Sequence, residues 1–322
     1  MSSNDLIQRF LAGEVLAAAR VLSVVERGGD EAERVLDALF PRTGRAYRVA
    51  VTGAGGAGKS TLANALTRRF REQGVTVGVV AEDPSSPFSG GAVLGDRVRM
   101  TNAVGDPGVF VRSIASRGSE SGLSALACEL ADVLDAFGRD VILLESMGVG
   151  QVETQIRFTA DTVIVVLTPE GGDEVQSLKA GLLEVADVIV VNKSDRPGAD
   201  EFAADLTAMV GLRDASADGW TVPVVSTTAR SDETLGVLAD TIARHRAHID
   251  ANGRRDARRR DALRARIRLL LEEDLRASAR QSATLRERFD GIFERVAAGS
   301  ISPYRAAREL GEFLKAGGHS PR

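Results

Sequence analysis

The chain is poor in cysteine, histidine, lysine and aromatic residues, and each shortage closes off a class of function. Its one cysteine, Cys128, excludes a disulfide framework and suits a reducing cytosol. It lies in an apolar helical stretch, S-A-L-A-C-E-L-A, and reads as a buried, inert thiol. Only His245, His248 and His319 stand beside it as ligands for a soft metal. No apolar run approaches the roughly 18–20 residues of a membrane span, and the N-terminus lacks a signal-peptide pattern. The expectation is a soluble, cytoplasmic protein. A net charge of −4 gives no global pull toward nucleic acid. The 322 residues, 43% hydrophobic, are ample for one large α/β domain with helical additions.

Lysine is scarce in an informative way. Of 41 basic residues only Lys59, Lys179, Lys193 and Lys315 are lysines. The first sits in V-A-V-T-G-A-G-G-A-G-K-S-T (Val49 to Thr61), where an apolar run gives way to a glycine-rich turn and then a helical stretch. The spacing G-x-x-x-x-G-K-S in a strand–loop–helix context is a phosphate-binding loop. Gly53, Gly55, Gly56 and Gly58 let successive N–H groups point into one concavity, with Ala57 between them. The helix start from Lys59 through Ser60 and Thr61 adds unpaired N–H groups and the positive end of its dipole. Lys59 supplies a compact charge to the terminal phosphates, and the Ser60 hydroxyl can ligate Mg²⁺. This is a nucleotide triphosphate site.

Residues 1–45 read as a helical hairpin: a stripe from Ile7 to Val25, ended by Gly28-Gly29, then a short helix from Glu31 to Leu39. From 46 to 250 strand and helix alternate. Candidate strands are Arg48–Thr52, Thr76–Ala81, Val109–Ser113, Asp140–Glu145, Thr162–Thr168, Val188–Asn192 and Val222–Ser226. Most are continuous β-branched runs, as strands covered on both faces require. The fold class expected is α/β, a doubly wound and mainly parallel sheet whose ligands bind beyond the carboxyl ends of the strands.

Acidic candidates lie at such ends. Asp83 and Asp96 flank a Pro- and Gly-rich loop and can turn toward the phosphate loop to hold Mg²⁺, directly or through water; either can instead cap a turn. Glu145 ends the apolar run V-I-L-L-E, where a metal-facing acid is placed in NTPases. Gly148 and Gly150 then make a turn suited to a switch that orders on triphosphate binding, and Gln151 can orient a water. Lys179, in P-E-G-G-D-E-V-Q-S-L-K-A-G, belongs either to a solvated loop or to a third segment that reaches the nucleotide or a partner.

The run V-V-N-K-S-D presents Asn192, Lys193 and Asp195 after a buried strand. The Asp195 carboxylate can accept hydrogen bonds from the ring N–H and exocyclic amine of guanine. Adenine lacks that donor pair and would leave a desolvated charge unpaired, at a cost of roughly 1–3 kcal/mol. Asn192 would brace the loop, and the Lys193 stem would pack over the base. Ser226, Thr228 and Ala229, after the last strand, can offer backbone contacts to the base edge. GTP is favoured over ATP.

Beyond 250 the composition changes. An Arg-dense stretch leads into apolar positions at Ile267, Leu270, Leu271 and Leu275, then Leu285, Phe289, Ile292, Phe293 and Val296. One helix from near Asp256 to Phe289 would extend about 50 Å at 1.5 Å per residue. Interleaved acids and the lack of aromatics argue for a subunit-facing or solvated helix rather than a nucleic-acid arm. A last short helix begins after Ser302-Pro303. The expectation for 251–322 is a helical arm of a homodimer.

Taken together, D-P-S-S-P-F-S-G-G-A-V-L-G-D-R-V-R-M, E-S-M-G-V-G-Q-V-E, G-G-D-E-V-Q-S-L-K-A-G and V-N-K-S-D resemble the MeaB/ArgK family, GTPase chaperones of adenosylcobalamin-dependent acyl-CoA mutases. The resemblance covers nearly the whole chain. It implies GTP/GDP binding and Mg²⁺ around Ser60, Asp83, Asp96 and Glu145. It also implies base selection by Asn192, Lys193 and Asp195, and a segment through Lys179 that links nucleotide to partner. The implied activity is slow GTP hydrolysis, accelerated by a mutase whose cofactor loading it gates; adenosylcobalamin belongs to that mutase. Catalysis would fall to Lys59, Glu145 and Gln151. The chain departs from the family pattern at Ser146-Met147, at Arg112–Gly118, which lacks the usual proline before S-R-G, and at Arg230–Glu233. Alternatives are a nickel-insertion GTPase, to which His245 and His248 one helical turn apart would contribute unless they line a solvated face, a kinase of a transport protein, and a non-enzymatic nucleotide sensor.

Overall fold

The computed structural model describes residues 3–83, 105–115, 125–146, 153–170, 182–212, 219–229, 231–251 and 253–315. The seven expected strands all form: β1 (Tyr47–Gly53), β2 (Val77–Asp83), β3 (Val109–Ala115), β4 (Val141–Glu145), β5 (Thr162–Leu167), β6 (Val188–Asn192) and β7 (Val224–Thr227). They pair in the order β3-β2-β4-β1-β5-β6-β7, every pairing parallel. Every residue of β4, β5 and β6 is buried, because helices cover both faces. β1 lies between β4 and β5, with Val51 opposite Glu145 on one side and Ile164 on the other. The chain leaves β1 for one half of the sheet and crosses to the other after β4. A ligand crevice opens at such a switch point, outside the carboxyl end of β1.

The N-terminal extension is helical, but as three helices: α1 (Ser3–Leu11), α2 (Val15–Arg27) and α3 (Asp30–Leu39). Gly13, at φ +84°, breaks the expected first stripe, and Leu16 from that stripe is exposed. Leu6, Phe10, Leu22, Val25 and Val35 are buried and share the core of the sheet. The helices α4 (Lys59–Glu72), α5 (Ala125–Ala136), α6 (Leu182–Val185), α7 (Ala199–Gly211) and α8 (Asp232–Asp250) alternate with the strands.

The chain separates into two compact units, residues 1–262 and 263–322. α9 (Arg254–Gln281) starts in the first of them. There Arg258 makes a two-point ion pair with Asp187, at 2.9 and 3.1 Å, and Asp187 also accepts the N–H of Val163. His245 is fully buried beside them; its Nδ1 and Thr162 Oγ1 share a 2.7 Å hydrogen bond, and its Nε2 is 3.3 Å from Asp187. His245 therefore does not lie on a solvated face. His248 Nε2 is engaged by Arg254 at 2.7 Å, and Trp220 packs on both imidazoles.

Burial alone would raise the Asp187 carboxyl, but hydrogen bonding and charge from His245 and Arg258 outweigh it and hold it below the usual range. A depressed folded-state value contributes stability above the unfolded value, about pH 4, and loses it as pH falls through the folded one. Asp187→Ala strands a largely buried guanidinium and is expected to cost about 3–5 kcal/mol, with a flatter acid limb of stability. Denaturant melts from pH 7 down to pH 3 check both.

In the second unit the chain is not one helix to Phe289. α9 stops at Gln281 and α10 (Ala283–Ala297) restarts behind Ser282, whose hydroxyl caps the N–H of Leu285 at 3.2 Å. α11 (Pro303–Lys315) follows, with proline in its first turn as expected. Arg295 pairs with Glu309 at 2.7 Å, and Arg288 stacks on Phe313, joining α10 to α11.

Candidate nucleotide site

β1 ends in Gly53 and α4 begins at Lys59, so the loop between them crosses the mouth of the crevice. Two of its glycines are required by contact as well as by backbone angle. A Cβ on Gly53 would sit 2.0 Å from Val166 O, and one on Gly58, at φ +90°, would meet Asn192 Nδ2 at 2.4 Å. Gly55 and Gly56 are exposed at the rim, as is Thr61, whereas Ala57 is buried. Lys59 is buried, its ammonium donating to Gly53 O and Ala54 O at 2.9 Å each. Those bonds hold the charge at the loop's centre, where phosphates would enter.

Ser60 donates to Glu145 Oε1 at 2.6 Å, joining the start of α4 to the end of β4. The hydroxyl and the buried carboxylate are hard oxygen donors, the set that Mg²⁺ takes alongside nucleotide phosphates. The chemistry therefore fits that ion. Among the described residues no group of three or more His, Cys, Asp and Glu side chains is gathered for a metal. Asp83 closes β2, on the far side of β4 from β1. Asp96, Gln151 and Lys179 lie outside the described residues.

A second group of candidate residues sits at the ends of β6 and β7, where Asn192 lies opposite Thr227. Asn192 Nδ2 donates to Ala57 O at 2.7 Å and so ties these strand ends to the glycine-rich loop after β1. Lys193 has φ +58° and is the one non-glycine residue with positive φ among those described. Such a conformation costs of order 1–3 kcal/mol and persists where surrounding contacts fix it. Its ammonium lies 3.4 Å from Glu170. Thr228 donates to Asp195 Oδ1 at 3.3 Å and shares a 3.0 Å hydrogen bond with Ser194, while Ser226 and Ala229 flank it. Sequence reasoning had no place for Ser194 or for Thr234, whose hydroxyl binds the main chain of Thr228.

With this geometry, residues 18–284 match the family model described as methylmalonyl Co-A mutase-associated GTPase MeaB. The chain belongs to the MeaB family. A GTPase homologue of Pyrococcus abyssi is 42% identical over 319 residues, 98% of each chain. GTPase ArgK of Escherichia coli K12 is 32% identical over 323 residues, covering 97% of this chain and 96% of its own. The crystal structure of an LAO/AO transport system kinase superposes with a TM-score of 0.74 at 27% identity, over 97% of both chains. As a MeaB protein this chain is a GTPase with a guanine-nucleotide fold, and no helix among the described residues is long and apolar enough to cross a membrane.

Proposed function

We propose that the protein binds GTP with Mg²⁺, hydrolyses it slowly, and uses the bound state to gate cofactor loading and repair of an adenosylcobalamin-dependent acyl-CoA mutase. The observation that carries the nucleotide half is Asn192, which joins the Lys59 loop to the strand end bearing Asp195. Phosphates and base can thus be read by one rigid frame. The family's association with methylmalonyl Co-A mutase supports the partner.

In this reading the loop N–H groups and Lys59 hold the β- and γ-phosphates, and stabilise charge as the terminal phosphoryl leaves. Ser60 and Glu145, with Asp83 and Asp96 directly or through water, would hold Mg²⁺, which supplies charge neutralisation between the phosphates. Gln151 would orient the attacking water and Lys179 would link nucleotide to partner. Asn192, Lys193 and Asp195, with the Ser226–Ala229 turn, would read guanine. Size-exclusion chromatography with methylmalonyl-CoA mutase should give a complex whose stability differs between GDP and a non-hydrolysable GTP analogue. Identical elution of the separate proteins in every nucleotide state would refute the partner. Label from γ-³²P-GTP should appear as free phosphate, faster with mutase present; label retained on protein would support the kinase reading instead.

The dimer belongs to this proposal. Leu263, Ile267, Leu271 and Leu275 follow one helical stripe of α9 and are 41%, 66%, 56% and 57% exposed. A second copy of the chain would cover them. Ile267→Asp with Leu271→Asp is expected to turn a dimer into a monomer in analytical ultracentrifugation, with GTP binding retained.

A further inference from the structure

We propose that Thr234, outside every nucleotide motif, is a positioning residue for base discrimination, acting through Thr228 on the carboxylate of Asp195; the inference rests on the guanine reading above. A carboxylate turns easily about its last bond, so an acid that selects a base edge needs a fixed plane. The Thr228 hydroxyl supplies that restraint by donating to Asp195 Oδ1 at 3.3 Å, and leaves Oδ2 and the second lone pair of Oδ1 to accept the two donors of the base. Ser194 Oγ, 3.0 Å away, completes the hydroxyl's bonding.

Thr228 itself lies one residue beyond the end of β7, so the ladder to β6 does not place it. Thr234 does. Its Oγ1 accepts from Thr228 N at 3.2 Å and from Thr227 Oγ1 at 3.1 Å. Its one hydroxyl hydrogen faces Thr228 O at 3.3 Å and Ser231 O at 3.2 Å. One side chain thus engages both main-chain groups of the residue that orients Asp195. Capping does not account for it. Ser231 caps α8 through the backbone N–H of Thr234, which any residue other than proline would offer. The hydroxyl serves the base-side turn.

The test is calorimetric titration of the full chain with Mg²⁺ complexes of GTP, ITP and ATP. Inosine keeps the ring N–H but lacks the exocyclic amine, so GTP against ITP reports how well Asp195 meets the amine. Thr234→Val keeps shape and backbone N–H while removing the hydroxyl. It should weaken GTP about 10-fold and leave ATP within about 2-fold, narrowing GTP/ATP and GTP/ITP together, as loss of one hydrogen-bonded restraint predicts. Thr234→Ser should restore both ratios. Thr228→Val, which leaves α8 intact, should narrow them likewise and serves if the first variant does not fold. Equal losses of GTP and ATP, or wild-type ratios in the valine variants, overturn the positioning role while the guanine reading stands. A wild-type protein without guanine preference overturns that reading and this inference with it.

Discussion

Lys59→Ala is expected to lower GTP hydrolysis by about 10²- to 10³-fold, the effect of removing one preorganised charge from a phosphoryl-transfer site. Lys59 is buried and already held by two carbonyl oxygens of the phosphate loop, so its ammonium needs little reorganisation to meet a phosphate. No other described lysine lies in that loop, and a planar guanidinium does not replace a compact ammonium in such a turn. GTP affinity should fall together with turnover, because in the proposed role the charge would meet the ground-state phosphates too. Single-turnover phosphate release, with circular dichroism as a folding control, reads this result. Unchanged turnover in a folded variant would remove Lys59 from the site.

The second large effect belongs to the other end of the nucleotide. Asp195→Asn should weaken GTP about 100-fold, since two hydrogen bonds to a charged acceptor are exchanged for one neutral bond and one donor facing a donor. ATP affinity should change little, because its base edge gains nothing from the carboxylate. Xanthosine triphosphate carries a carbonyl where guanosine has its amine, so it should bind the asparagine variant better than the native protein. Competition titrations with the three nucleotides measure the preference directly. The phosphate end gives an internal control: Asp195→Asn leaves Lys59 and Ser60 untouched, whereas Lys59→Ala should weaken GTP and ATP alike.

The parts of the fold set by unbroken local patterns were legible in the sequence. β4 is an apolar run closed by Glu145, β5 and β6 are β-branched but for their last residues, and burial on both sheet faces admits few other readings. The strand–loop–helix turn from β1 to α4 was equally plain, and its glycines answer contacts as close as that between Gly58 and Asn192. Misreadings came where one residue outweighed a longer period. Gly13 divided the first helix, and Ser282 ended α9 by offering its hydroxyl to a new helix start. His245 was misplaced for a different reason. It falls on the buried stripe Leu235, Leu238, Ile242 and Ile249 of α8, but a polar residue on such a stripe is visible as core only once Thr162 and Asp187 are seen to satisfy it. Thr234 escaped because its role runs through the main chain of another residue.

The account depends on one ligand, and binding of that ligand to the pure, full-length protein tests it most directly. Titration with GTP and then ATP, each with Mg²⁺, should show one GTP bound per chain and ATP at least about 100-fold weaker. No uptake of GTP, or equal uptake of the two, would contradict the account.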